Sequence, residues 1–246
     1  MDSLDMKAMI FAAGLGTRLK PITDTIPKAL VPVGGVPMLE RVIRKLKGAG
    51  MEEIVVNAHH FAERIVDFLK EHPELSTGVS VSLENGTPLE TGGGIKHAAP
   101  LLGKGRFLVH NVDILSDADL RQFISVDRPD SLATLLLADT PADRCLLFDD
   151  GMRLSGWMNI RTGEVKSPLP NFDPSAYRRY SFCGIHIISD RVFALMESWP
   201  DNFPIIDFYL ANAASETIRG VVAEDIHLID IGSPEKLDEA NRLVGR

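Results

Sequence analysis

Cysteine is scarce in this chain: its 246 residues include only Cys145 and Cys183, which form no Cys-x-x-Cys pair. Two isolated thiols exclude a disulfide framework and favour a reducing compartment. No stretch approaches the ~18 consecutive apolar residues that a transmembrane helix needs. The first five residues are acidic in character and are not an apolar leader. We therefore expect a cytoplasmic protein with no membrane partner.

Positive charge is also in deficit, because 26 lysines and arginines stand against 34 aspartates and glutamates, for a net charge of -8. This balance argues against nucleic acid as a partner. Several short motifs are absent as well. The chain has no His-Glu-x-x-His or spaced Cys/His set for zinc, no Gly-x-Ser-x-Gly elbow and no Walker A loop. Zinc hydrolases, serine hydrolases of the elbow type and P-loop enzymes are thereby disfavoured.

Short apolar runs alternate with amphipathic stretches along the first 138 residues. The runs predict strands over 7–13, 54–58, 79–83, 107–111 and 132–138, with helices between them. Such alternation indicates right-handed βαβ units in a mostly parallel sheet, the α/β class. The segment 139–180 contains four prolines and predicts hairpins and loops that form a lid or wall. We expect one domain, 1–246, with a nucleotide-binding half at 1–138 and a second-substrate half at 139–246.

A glycine loop follows the first predicted strand. Gly14 and Gly16 allow the backbone to turn tightly and to bring N–H groups against a ligand. The third glycine of a dinucleotide fingerprint is replaced by Leu19. Arg18 supplies a planar fork of donors for phosphate oxygens, and Lys28 supplies a point charge. The loop residues expected to contact a nucleotide are Ala13, Gly14, Leu15 and Gly16.

The sequence Phe-Ala-Ala-Gly-Leu-Gly-Thr-Arg, with Pro-Lys-Ala-Leu-Val-Pro-Val further on, resembles the signature of sugar-1-phosphate nucleotidylyltransferases. The resemblance extends over nearly the whole chain and is weakest at 140–180. It implies a Rossmann-like, mostly parallel mixed sheet flanked by helices. It also implies an enzyme that condenses an NTP with a sugar 1-phosphate to give an NDP-sugar and pyrophosphate. Its catalytic residues would be Arg18, Lys28 and Asp113.

A second glycine-rich segment, Pro88 to Ile95, opens a predicted helix, whose N-terminus favours anions. The family carries a similar Pro-Leu-x-Thr segment along the nucleotide. Leu-Glu-Thr-Gly-Gly-Gly is particularly similar to the N-acetylmuramate α-1-phosphate uridylyltransferases. This resemblance assigns Thr91 and Gly92 to the nucleotide. It also places Asn85 where relatives read the edge of the base.

Two separated aspartates are the expected metal ligands. Asp113 follows the predicted buried strand, which ends in polar residues, and a carboxylate beside a triphosphate suits Mg²⁺, which takes hard oxygen ligands. Asp230 lies in an Asp-x-Gly-Ser turn that resembles the family's second metal-binding turn. Asn111 is assigned to the nucleotide. Mg²⁺ is therefore the expected cofactor.

The second half is expected to bind the sugar. The resemblance assigns Gly184, where a glycine backbone lets the hexose approach, and Glu164, which could belong to the acidic and basic pair of relatives. Arg144 is assigned because the segment 139–180 is locally rich in arginine and lysine, which suits a sugar carboxylate. The favoured substrates are UTP and N-acetylmuramate 1-phosphate. The alternatives are GTP with mannose 1-phosphate, a choline-phosphate cytidylyltransferase with Trp157 and Tyr180 as an aromatic cage, and a non-catalytic nucleotide-sensing subunit. The sequence leaves the oligomeric state open, a monomer included.

Overall fold

The computed structural model describes residues 5–245. Its helices are α1 (Met38–Gly48), α2 (Ala62–Glu71), α3 (Pro73–Ser76), α4 (Glu90–Leu102), α5 (Leu120–Ser125), α6 (Arg191–Met196), α7 (Ile205–Asn212) and α8 (Pro234–Val244). Its strands are β1 (Lys7–Phe11), β2 (Pro32–Val33), β3 (Val36–Pro37), β4 (Ile54–Ala58), β5 (Val79–Leu83), β6 (Arg106–Asn111), β7 (Ile114–Ser116), β8 (Ala133–Ala138), β9 (Arg144–Phe148), β10 (Leu154–Asn159), β11 (Val165–Lys166), β12 (Arg178–Ser189), β13 (Ile218–Val222) and β14 (Leu228–Asp230).

Ten of these strands form one mixed sheet. Its main path runs β11-β10-β9-β12-β6-β1-β4-β5, and β8 joins β12 to β13. Strand β1 is parallel to both β4 and β6, and β4 is parallel to β5. The prediction of an α/β fold with a mostly parallel sheet at its centre is confirmed. The carboxyl ends of β1, β4, β5 and β6 consequently meet at one edge, where open α/β sheets bind their ligands.

The long strand β12 connects the parallel region to the antiparallel part of the sheet. Its last five residues pair with β6, and its first three pair with β9. Between these regions the pairing with β8 shifts register from Phe182 to His186. Gly184 lies in this bulge with φ 70°, a conformation that glycine adopts without strain. One long strand therefore pairs with β6, β8 and β9 along different parts of its length.

Helices cover both faces of the sheet, which explains why its central strands are apolar throughout. Along β1, Ala8 and Ile10 pack into a cluster with residues of α1, α2 and α5. The intervening Met9 packs on the opposite face with residues of α4, α6 and α7. Strands buried on both faces have no polar side to alternate. No helix within residues 5–245 is long and apolar enough to cross a membrane.

The segment 139–180 contains the antiparallel hairpin strands β9 to β11, so the prediction of hairpins there is confirmed.

Both thiols are free and buried. Burial raises the pKa of Cys183 to about 12, so this thiol stays protonated and unreactive at neutral pH.

Helix α4 differs from its predicted extent. The sequence predicts a glycine loop that leads into a helix near Ile95, but α4 begins at Glu90, and Gly92, Gly93 and Gly94 form its first turns. Tertiary packing overrides the low helix propensity of glycine here.

Candidate functional site

A short two-stranded ribbon joins the two predicted metal ligands. Strands β7 and β14 are antiparallel, and Asp230 pairs with Ile114 in their register. Beyond the ribbon, the Ile231 N–H donates to the Asp113 carbonyl oxygen at 3.0 Å. The carboxylates of Asp113 and Asp230 are therefore held side by side by backbone hydrogen bonds, although the two residues are far apart in the sequence.

Lys28 lies between these two carboxylates. It begins a 3₁₀ turn directly after Pro27, whose extended backbone directs the chain into the site. Its ammonium pairs with Asp113, and it lies 4.0 Å from Oδ1 of Asp230. The side chains of Lys28 and Asp113 are only 12% and 20% exposed, so water screens their interaction weakly. Arg18 approaches the outer side of Asp230, with its Nη2 3.7 Å from Oδ2.

The electrostatics at Asp230 favour a further cation. Desolvation first, and then the negative charge of Asp113, raise the pKa of Asp230 above its ordinary value, while Lys28 and Arg18 oppose the shift. An aspartate whose pKa is raised in the folded state lowers stability as the pH rises through its titration. The ionised Asp230 therefore destabilises the fold slightly at neutral pH, and shifted pKa values of this kind are common at functional sites.

A cavity of about 500 Å³ opens beside these residues at the carboxyl edge of the sheet. It is lined by the glycine loop, by the ends of β1 and β6, and by the entry to α4. Nine residues assigned from the sequence line it: Ala13, Gly14, Leu15, Gly16, Arg18, Lys28, Thr91, Asn111 and Asp113. The structure thus brings together groups suited to holding a nucleotide, and the individual roles stay predictions.

The remaining assigned residues lie outside the lining of this cavity. Asp230 lies beside the cavity, 4.0 Å from the ammonium of Lys28, which lines it. Gly184 contacts Asn111, because a Cβ at Gly184 would lie 2.8 Å from the Asn111 amide nitrogen. Asn85 is exposed on the loop after β5. Arg144 is exposed at the start of β9, and Glu164 is exposed in the turn just before β11. Gly92 is buried inside α4.

Glu84 lines the cavity, whereas its neighbour Asn85, to which the sequence assigns base reading, does not. Glu84 is buried, and its two oxygens accept from Asn57 Nδ2 at 2.5 Å and from the Leu89 N–H at 3.0 Å. Strand alternation indicates this arrangement, because Ser82 and Glu84 are buried while the residue between them is exposed. The alternation of buried and exposed residues along β5 therefore indicates Glu84, and not Asn85, as the inward-facing residue.

The glycine triplet makes room for neighbouring groups. A Cβ at Gly93 would overlap the backbone carbonyl of Asp201, and a Cβ at Gly92 would overlap the ring of Phe203. A Cβ at Gly94 would lie 3.1 Å from Glu84 Oε1. Gly92 and Gly93 are thus needed for packing within the protein, and their absence of side chains does not by itself indicate contact with a ligand.

Replacing Gly93 by alanine is expected to lower the free energy of unfolding by about 1–3 kcal/mol, because the new methyl group must displace backbone. Gly48 provides the matched control: it ends α1, and a Cβ at this position would meet nothing within 4 Å. Gly48→Ala is expected to be neutral or stabilising. Urea unfolding midpoints of the two variants measure this, and equal midpoints would contradict it.

The two carboxylates fit a divalent cation that shares its coordination with substrate. Within residues 5–245, no group of three or more His, Cys, Asp or Glu side chains is placed to hold a metal ion. Two carboxylates are nevertheless what Mg²⁺ uses when phosphate oxygens and water complete its octahedron. The hard oxygen donors of Asp113 and Asp230, and the raised pKa of Asp230, agree with such an ion.

Comparison with known proteins gives the family. Residues 7–144, more than half of the chain, match the model of the nucleotidyl transferase family. The N-acetylmuramate alpha-1-phosphate uridylyltransferase of Caulobacter vibrioides is 30% identical over 238 residues, which are 93% of this chain and 92% of that protein. The mannose-1-phosphate guanyltransferase of Candida albicans is 35% identical over 212 residues, covering 82% of this chain and 56% of that protein.

The structural comparison agrees. The UDP-glucose pyrophosphorylase from Acinetobacter baumanii superposes with a TM-score of 0.78 at 20% identity, covering 98% of this chain and 94% of that one. The fold is that of the nucleotide-diphospho-sugar transferases. The chain belongs to the nucleotidyl transferase family, and it is an enzyme of that family. The resemblance found in the sequence is thereby confirmed at the level of family and fold.

Proposed function

We propose that this enzyme transfers a uridylyl group from UTP to N-acetylmuramate 1-phosphate and releases pyrophosphate. One observation supports this class of reaction: Lys28, Asp113 and Asp230 lie together, with Arg18 beside them, at the edge of a nucleotide-sized cavity. The choice of substrates rests on the full-length similarity to the Caulobacter enzyme.

The chemistry needs charge neutralisation more than it needs a nucleophilic side chain. A phosphate oxygen of the sugar 1-phosphate attacks the α-phosphorus of UTP, and the bond to the bridging oxygen of the β-phosphate breaks as pyrophosphate leaves. Both reactants are anions, so their approach is repulsive. Lys28 would neutralise the attacking and transferred phosphates, and Arg18 would hold the departing pyrophosphate.

Asp113 and Asp230 would hold a Mg²⁺ ion. When bound, this ion supplies Lewis-acid neutralisation of the α-phosphate and the sugar phosphate. The chain's own contribution is to fix the two carboxylates through the β7–β14 ribbon and to keep Lys28 in a poorly screened position between them. Such preorganised charges need no rearrangement during the reaction.

We further propose that 1–138 binds the nucleotide and that 139–246 binds the sugar. Gly184 brings the second half against the cavity wall, because its missing side chain makes room for the Asn111 amide, which a Cβ at this position would approach to 2.8 Å. On the antiparallel strands, Lys166 and Arg178 are engaged with Asp207 and Asp150, each at 3.4 Å. Arg144, exposed at the start of β9, is the cation that we assign to the lactyl carboxylate of N-acetylmuramate.

The similarity to mannose-1-phosphate guanyltransferase favours GTP with mannose 1-phosphate as the second candidate. A choline cage has less support, because Lys166 Nζ already lies 5.3 Å from the Trp157 ring centroid and Tyr180 packs against Phe148. A choline headgroup would have to displace both contacts.

A pyrophosphate-release assay with four NTPs and a panel of sugar 1-phosphates tests the proposal. UTP with N-acetylmuramate 1-phosphate is expected to give the highest kcat/KM. Arg144→Glu should then lower kcat/KM for N-acetylmuramate 1-phosphate but not for mannose 1-phosphate, while Arg178→Glu serves as the control. A preference for GTP and mannose 1-phosphate would replace this proposal by the second candidate.

A further inference from the structure

Glu90 has an unusual backbone for its residue type. Five non-glycine residues within 5–245 have positive φ, and Glu90, at φ 62°, is the one among them that lines the cavity beside Lys28. The left-handed region is unfavourable for residues other than glycine, and asparagine and aspartate tolerate it better than glutamate does. A glycine at this position would remove the strain. Strain of this kind at a ligand cavity calls for a functional reason.

The segment after α6 holds Glu90 in this conformation. Before Glu90, the Phe203 N–H donates to the Leu89 carbonyl at 3.2 Å. After it, the Ile205 N–H donates to Thr91 Oγ1 at 2.9 Å, and the Gly92 N–H donates to the Phe203 carbonyl at 2.8 Å. The backbone on both sides of Glu90 is therefore fixed by a segment of the second half, while Glu90 itself is exposed and lines the cavity.

The charge of Glu90 limits what it can contact. The cavity's cations, Arg18 and Lys28, and the paired Asp113 and Asp230 form the part that suits phosphates. A carboxylate on the wall repels phosphate unless a cation lies between them, and because it is an acceptor only it suits a group that donates hydrogen bonds. The ring hydroxyls of a sugar meet this requirement, and adjacent hydroxyls can donate to both oxygens of one carboxylate.

We propose that Glu90 determines specificity by accepting hydrogen bonds from sugar hydroxyl groups of a bound substrate. The proposal rests on the proposed function, which supplies two sugars with such hydroxyls: the ribose of the nucleotide and the ring of the sugar 1-phosphate. Glu90 would then distinguish hydroxylated substrates from their deoxy analogues. The hydrogen bonds with Phe203 and Ile205 hold the strained backbone, and the side chain supplies an acceptor that a glycine at this position would lack.

Two variants and one control test this role. Glu90→Gly removes the acceptor and relieves the backbone strain, and Glu90→Gln keeps the length and loses the charge. Glu63→Gln is the control, since Glu63 is another exposed acid in the first turn of a helix, α2, and does not line the cavity. Each protein is assayed with UTP against 2′-deoxy-UTP and 3′-deoxy-UTP, and with sugar 1-phosphates that lack one ring hydroxyl.

The ratio of kcat/KM for the hydroxylated substrate over its deoxy analogue is expected to fall about tenfold in Glu90→Gly, because a hydrogen bond to a charged group is lost. Glu90→Gln should recover part of the ratio, and Glu63→Gln should not change it. A fall with the deoxy-UTP analogues would identify the ribose as the group that Glu90 contacts, and a fall with the deoxy sugar 1-phosphates would identify the sugar ring. Unchanged ratios in both arms, in folded Glu90→Gly and Glu90→Gln, would overturn the proposal.

Calorimetric titration of each protein with UTP and with its deoxy analogues, without any sugar 1-phosphate, separates this proposal from the proposed function. A loss of ribose discrimination in Glu90→Gly would be seen there even if the acceptor sugar were assigned wrongly. Thermal unfolding supplies a second readout, because Glu90→Gly is expected to unfold at or above the wild-type midpoint. If Glu90→Gly had a much lower thermal midpoint and an unchanged preference for hydroxylated substrates, Glu90 would be purely structural and the proposal would be wrong.

Discussion

Asp113→Asn is expected to lower kcat about 100–1000-fold while the protein remains folded. The substitution removes one of two carboxylates that suit the metal, and we expect a loss similar to that of one preorganised oxyanion-hole donor, about 2.7–4 kcal/mol. Folding should survive because Lys28 keeps a second carboxylate, Asp230, 4.0 Å away. Truncating a buried ion pair without such a substitute would be far more destabilising.

The measurement is turnover as a function of Mg²⁺ concentration, with Mn²⁺ binding followed separately by electron paramagnetic resonance. The variant should bind Mn²⁺ more weakly than the wild type does. Asp119→Asn is the matched control: Asp119 follows the same ribbon, but its carboxylate caps α5 by accepting from the Gln122 N–H. Near wild-type turnover of Asp113→Asn at saturating Mg²⁺ would contradict the assignment.

The parts of the site that depend on local sequence could be predicted. Gly14, Gly16 and Arg18 lie in one loop after one strand, so their proximity follows from chain connectivity. Asp113 could be expected near this loop because β1 and β6 are neighbouring parallel strands whose ends share an edge, and Lys28 could be expected there from the family resemblance. Both groups of residues line the cavity in the structure.

The parts that depend on distant packing could not be predicted. Gly92 and Gly93 must lack side chains because Phe203 and Asp201, about a hundred residues further along the chain, pack against them. No local sequence pattern predicts that contact. The same segment fixes the backbone of Glu90. A loop that reads as glycine-rich is therefore the first turn of a helix, because tertiary contacts decide its conformation.

The register of β7 and β14 is a second example. Each strand has only three residues, which is too short for a reliable period-two pattern. Their pairing nevertheless places Asp230 opposite Ile114, next to Asp113, whereas a slip of one residue would move Asp230 away from this partner. The sequence could indicate both aspartates by resemblance but not the ribbon that joins them.

Lys28→Met is expected to lower kcat about 100–1000-fold and to change the dissociation constant of the nucleotide much less. Methionine keeps the length and apolar stem of lysine but carries no charge. The ammonium is poorly screened between two carboxylates, so its charge acts at short range on whatever anions enter. That charge has its largest effect when two phosphates come together, which happens only in the transition state.

Steady-state kinetics with both substrates saturating, together with calorimetric titration of UTP, separate these two effects. Lys20→Met is the control, because Lys20 lies close in the sequence and pairs with Asp24 on the surface. It should leave both kcat and nucleotide affinity near the wild-type values. Lys28→Arg should recover little activity, since a planar guanidinium cannot take the place of a compact ammonium between Asp113 and Asp230. An unchanged kcat in Lys28→Met would show that the phosphates meet elsewhere in the cavity.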